Sequence, residues 1–278
     1  MKKVLGTIVC LLLVSAIALG QAKADRDVKR LQEQQRARIG GGYECGGDPI
    51  LPTDGSSAQD YIGPTPNYYL LHMEAHHSYV AEMWDPVDSF IGGGAQLVLL
   101  SSPGCGTTLS TRDFVGSDPN LSNNFADRIS WLQPADGDAV LQVNNLDTTG
   151  AFYGYVIRVT DTTLQDNYWT TNGNLATQFT FTNNTEQTLS GKLLVEDVTA
   201  GGVDYSAAVS VAPGRQTTEI VASTGIASSG LQVPANHVGR ATFYFTGPAG
   251  GIMAEAFTIT SMDVPITSIK FESKFSPH

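Results

Sequence analysis

The stretch DRISWLQPADGDAVLQV (residues 127–143) decides the fold class. Arg128 to Leu132 and Ala139 to Val143 read as short strands, rich in β-branched, aromatic and other apolar residues. Between them Pro134-Ala135-Asp136-Gly137 supplies the residues of a turn. The same texture extends outward. Upstream lie Tyr68 to Met73, Ser78 to Asp85 and Ala95 to Ser101; downstream lies Gly154 to Thr160. In the second strand Tyr79, Ala81 and Met83 face one way and Val80, Glu82 and Trp84 the other. Residues 102–126 read as a polar loop carrying Gly, Pro, Asp and Asn.

A second group follows Asp166: Ala176 to Thr182, Gly191 to Asp197, Tyr205 to Val211, Thr217 to Ala222, Arg240 to Thr246 and Ile252 to Thr260, with Ile266 to Phe275 as an added edge. Asn183-Asn184, Gly201-Gly202, Pro213-Gly214 and Gly247-Pro248 mark the turns between them. About seven short strands in roughly 110 residues is the density of an immunoglobulin-like sandwich. No helix-period segment of useful length follows residue 40, which disfavours crossover α/β folds. The expectation is an all-β chain of two tandem β-sandwich (jelly-roll or immunoglobulin-like) domains, 67–164 and 165–278.

The first 66 residues read differently. Lys2 and Lys3 precede an apolar run from Val4 to Leu19, and Ala22-Lys23-Ala24 gives the small-x-small pattern of a cleavage site. Residues 1–24 therefore read as a secretory signal peptide cut after Ala24; the run is short of the roughly 20 residues a bilayer span needs. Residues 25–66 read as a linker, with a charged, Gln-rich short helix to Arg38 and then repeated Gly, Pro, Asp and Ser. The implied location is secreted or at the cell surface, or the periplasm, with no membrane span in the mature chain.

Processing at Ala24 would remove Lys2, Lys3 and Lys23 and take the formal charge from −11 to −14. So acidic a chain lacks the basic face that phosphates demand, which excludes a nucleic-acid partner. Cys45 and Cys105 survive processing. In an oxidising compartment the simplest reading is one disulfide between them; two free thiols or a ligand pair is the alternative.

The stretch 67–164 resembles the bacterial pre-peptidase C-terminal domain family, on "HSYVAEMWDP" (His77 to Pro86), "DRISWLQPADGDAVLQV" (Asp127 to Val143) and "GYVIRVTDTTL" (Gly154 to Leu164). The resemblance implies a β-sandwich of the kind appended to secreted peptidases, aiding secretion, stability or attachment. Members commonly carry an acidic pair before the first aromatic strand; here Ala75-His76-His77-Ser78 stands there, which counts against a calcium site built on such a pair. The second half looks like an immunoglobulin-like module of bacterial surface proteins, most of all in "GRATFYFTGPAGGIMAEAFTI" (Gly239 to Ile259).

Hydrolase signatures are missing: there is no Gly-x-Ser-x-Gly elbow and no His-Glu-x-x-His. No catalytic residue and no enzyme activity are expected. On an extended strand His72, Glu74 and His76 would share a face and could offer a transition metal two imidazoles and a carboxylate; the plainer reading is a strand end and turn. Asp113, Asp118, Asn120 and Asp127 offer hard oxygens to calcium, or are solvated loop acids. No cofactor is required, calcium being the one ion these acids could hold. Trp84, at a strand end, is the best placed aromatic for a ligand, while Trp131 and Tyr155 fit core positions. The function that follows is an exported, non-catalytic accessory, binding or structural protein whose partner is an extracellular polysaccharide or protein. A carbohydrate- or matrix-binding module and a metal enzyme centred on His72, Glu74 and His76 are the alternatives.

Overall fold

In the computed structural model, the structure describes residues 49–84, 95–102, 104–112, 126–146, 153–224, 230–260 and 265–273. They fall in one compact unit that begins at Asp48. The signal peptide, most of the linker with Cys45, and Asp113, Asp118 and Asn120 of the expected calcium set lie outside the described residues. Among the described residues all regular structure is strand, and no helix is long and apolar enough to cross a membrane.

The strands are β1 (Asp54–Ile62), β2 (Asn67–Met73), β3 (His77–Trp84), β4 (Ala95–Ser101), β5 (Thr108–Arg112), β6 (Ala126–Gln133), β7 (Gly137–Asn145), β8 (Tyr153–Asp161) and β9 (Leu164–Thr170), followed by β10 (Leu175–Asn183), β11 (Leu189–Asp197), β12 (Val203–Val211), β13 (Gln216–Ser223), β14 (Leu231–Val233), β15 (Val238–Thr246), β16 (Ile252–Thr260), β17 (Pro265–Lys270) and β18 (Glu272–Ser273). They build four sheets, ordered β1-β8-β3-β6, β2-β7-β4-β5, β14-β13-β10-β16-β17 and β12-β11-β15-β9-β18. All pairs are antiparallel except β13 with β14.

The first two sheets share one core, to which β3 contributes Tyr79, Ala81 and Met83, β4 contributes Leu97 and Leu99, β6 contributes Trp131, and β8 contributes Tyr155 and Ile157. The last two share another, around Trp169, Phe179, Phe181, Leu193, Phe243 and Phe245. The alternation in β3 is as the sequence implied: odd positions enter the core and even positions face out. Outward does not mean solvated. Glu82 is 3 % exposed, and a carboxylate so buried needs a partner. Arg158, opposite it on β8, supplies one through Nε at 2.7 Å and Nη2 at 2.6 Å.

Two segments of the first sandwich depart from the sequence reading, as do β9 and β14 in the second. Residues 54–62, assigned to the linker, form β1, and 108–112, assigned to a loop, form β5. Neither carries a run of alternating apolar residues; backbone pairing with β8 and β4 holds them. β1 is also tied in by a polar knot. Tyr69 Oη donates to Asp60 Oδ2 at 3.0 Å and lies 2.6 Å from Tyr155 Oη, while Asn67 Nδ2 donates to Tyr155 Oη and to the Tyr61 carbonyl. Burial, reinforced by Tyr155 and Asp60, pushes the Tyr69 phenol far above its usual range.

A prediction follows from the direction of that shift. The native state holds the Tyr69 proton more tightly than the unfolded chain does, so this contribution to stability is intact below about pH 10 and is lost as pH rises beyond it. Tyr69→Phe should cost about 1.5 kcal/mol at neutral pH, the scale of a buried hydrogen bond. It should also flatten the alkaline loss of stability, read by urea unfolding at pH 8 and pH 10.5. Equal alkaline slopes for wild type and variant would refute this account.

Candidate functional site

The turn between β2 and β3 is fixed at each residue. The Glu74 amide donates to Tyr79 Oη at 2.8 Å, and the Ala75 amide donates to Asp136 Oδ1 at 2.7 Å. His76 follows in the left-handed region with φ 58°, a conformation uncommon for a residue with a Cβ. Its ring reaches the second sandwich and stacks on Tyr244, centroids 6.2 Å apart. Burial, and then the charge of Asp204, raise the Tyr244 phenol above its usual range.

The connector between the sandwiches is two buried residues, Thr162 and Thr163. The Thr162 amide donates to the Ser78 carbonyl, Thr162 Oγ1 donates to Ser78 Oγ, and the Ser78 amide donates to Thr163 Oγ1. Asp161 completes the lock. Its Oδ1 accepts from the Thr163 amide at 3.0 Å and its Oδ2 lies 2.6 Å from His77 Nδ1.

Opposite this turn stands the outer face of the sheet β12-β11-β15-β9-β18. Register sets Asp204, Glu196 and Arg240 in one row across β12, β11 and β15, and Leu194, Thr242 and Gln165 in the next. Residues two apart on a strand share a face, so both rows project to one side, while Leu193, Val195 and Phe243 enter the core. A second histidine–aspartate pair, His237 Nδ1 on Asp197 Oδ2 at 2.6 Å, anchors the hairpin that carries Gly202 and Asp204; Asp197 Oδ1 also accepts from the Ala200 amide.

Between the turn and this sheet lies a cavity of about 400 Å³, lined on one side by Ala75, His76 and His77 and on the other by both rows and Gly202. Its size is within the roughly 300–1,000 Å³ common for small-ligand sites. Its walls offer donors (Arg240), acceptors (Glu196, Asp204) and groups that do both (Gln165, Thr242).

The structure separates the expected transition-metal set. His72 is exposed, with Nδ1 2.6 Å from Asp138 Oδ1; Glu74 Oε2 stands 3.6 Å from His77 Nε2; His76 lies on Tyr244. The strand alternation that would have aligned them ends at Met73, where the turn begins. No group of three His, Cys, Asp or Glu side chains placed to hold a metal occurs among the described residues. Of the calcium set, Asp127 is buried and accepts from the Leu97 amide at 2.6 Å and the Arg128 amide at 2.8 Å. Trp84 is half-buried, and the Arg158 guanidinium lies over its ring at 5.3 Å from the centroid, so one face already has a cationic neighbour. Cys105 sits in a turn with φ 47°, and its expected partner Cys45 lies outside the described residues.

No family model and no curated protein matches this chain. Solved structures with a similar arrangement include the pre-peptidase C-terminal domain of collagenase from Bacillus anthracis (11% identity, 41% of this chain and 95% of that one, TM-score 0.30). An uncharacterised protein from Burkholderia cenocepacia matches over 77% of this chain and 84% of its own (8% identity, TM-score 0.29). The N-terminal CBM22 tandem of Xyn10C from Paenibacillus barcinonensis matches over 82% and 98% (9% identity, TM-score 0.24). Among the described residues the chain is all-β, with antiparallel sheets packed in pairs about two cores.

Proposed function

We propose that this protein works outside the cytoplasm as a non-catalytic binding protein, exported by residues 1–24, cut after Ala24 and closed by a Cys45–Cys105 disulfide. The observation that carries the binding reading is the locked connector: Thr162 and Thr163 leave no free linker, so two sandwiches present one composite surface with a polar recess between them. A domain pair built for reach alone gains from a flexible linker; a pair built to hold something between its halves gains from a fixed one, because ordering costs are met before the ligand arrives. The ligand is an extracellular polysaccharide or protein.

The full mature chain should be retained on one or more insoluble polysaccharides or matrix proteins in a pull-down while releasing no product from them. Turnover of any such polymer, abolished by changing a single polar residue, would overturn the reading.

A further inference from the structure

His77 is 7 % exposed and lines the cavity, yet only one of its ring nitrogens is engaged at hydrogen-bond length. Nδ1 is held by Asp161. Nε2 has Glu74 Oε2 at 3.6 Å, beyond hydrogen-bonding length. With Nδ1 on the Asp161 carboxylate, Nε2 is the ring nitrogen that faces a ligand. His77 lines the recess, so a ligand held there can reach this nitrogen. We propose that the cavity is a saccharide subsite in which a ligand hydroxyl hydrogen-bonds to His77 Nε2. The proposal rests on the reading of the protein as a binding protein and adds the site and the ligand class.

The opposite wall selects for hydroxyls rather than for charge or hydrocarbon. Glu196 and Arg240 are direct cross-strand neighbours and offset one another. Gln165 and Thr242 are also direct neighbours, and each both donates and accepts. A ligand filling this space must donate at Glu196 and Asp204, accept at Arg240 and hydrogen-bond at His77, all along one recess. Adjacent sugar hydroxyls, each donor and acceptor at once, do this; an alkyl or aromatic side chain of a peptide does not, because the apolar lining is limited to Ala75, Leu194 and Ala241. His76, held by its turn against Tyr244, gives the recess a flat ring edge.

The test is titration of the full mature chain with glucose, galactose, mannose and N-acetylglucosamine and their short oligomers, followed by imidazole ¹⁵N shifts of His77 and by calorimetry. At least one sugar should saturate and move the His77 Nε2 resonance. Arg240→Met and Thr242→Val, checked to melt like the parent, should each weaken that sugar at least tenfold. Binding unaltered by both variants would overturn the cavity as the subsite and leave the binding function standing. If no sugar binds but the chain is retained on a protein matrix, the saccharide assignment falls alone. A lysine-bearing peptide that shifts His77 when no sugar does would likewise overturn it. If nothing is retained at all, the proposed function falls as well.

Discussion

Gly239→Ala should unfold or severely destabilise the second sandwich. Gly239 lies on β15 opposite Asp197 of β11 and Trp169 of β9. A Cβ there would overlap the Glu196 carbonyl oxygen and stand 2.6 Å from Trp169 Nε1. The clash is with backbone and with a fully buried indole, neither of which can swing aside. The same crowding would break the bond that Trp169 Nε1 donates to the Glu196 carbonyl at 3.1 Å. Overpacking commonly costs 1–3 kcal/mol, and loss of a buried hydrogen bond adds about 1 more, so the expected loss is above about 3 kcal/mol. Thermal unfolding of the purified variant checks this: a melting temperature within about 2 °C of wild type would contradict the packing described for β9, β11 and β15.

Asp161→Ala should be nearly as damaging, through polar rather than steric means. It would strip acceptors from His77 Nδ1 and from the Thr163 amide, both buried. Orphaning buried donors costs about 1–3 kcal/mol each, less what relaxation and water recover; a net loss of about 3 kcal/mol is expected. In a chain of this size that lowers the melting temperature by about 6–12 °C. The effect should be regional as well as global. With the connector loosened, calorimetry should resolve two transitions where the wild type shows one, since each sandwich keeps its own core. Asp161→Asn retains a carbonyl acceptor and should recover part of the loss. A single, unshifted transition in Asp161→Ala would sink the idea of a lock.

Fold class was legible because the core is written as alternation: Tyr79, Ala81 and Met83, or Phe243 and Phe245, enter the cores at every second position. β1 was not legible. Its sequence, DGSSAQDYI, reads as linker because an edge strand needs only backbone pairing on one side. β9 was missed for a related reason: LQDNYWT mixes exposed and buried positions at the joint between two sandwiches. The site was less legible still. Asp204, Glu196 and Arg240 are neighbours only through register, which a single sequence does not reveal. His72, Glu74 and His76 attracted attention through their spacing, but spacing predicts a shared face only where the strand continues. It stops at Met73, and the residue that borders the cavity from a buried position is His77, the first of the next strand.

The order of strands within the sheets also fixes when each half of the molecule can be finished. β1 pairs with β8, so Asp54 meets Thr160, and β9 pairs with β18, so Leu164 meets Ser273. In each sandwich the first strand waits for the last. A chain emerging N-terminus first therefore cannot complete the first sandwich until Asp161 is out, nor the second until nearly the whole chain is. Such long loop closures make folding slow and leave strand edges open meanwhile. The residue that ends β8 is the same Asp161 that grips His77 and the connector, so closing the first sandwich also fixes the direction in which the chain leaves it. A nascent chain stalled a few residues short of position 161 should be protease-sensitive throughout, and one extended past the connector should acquire a resistant N-terminal half before any of the remainder has folded.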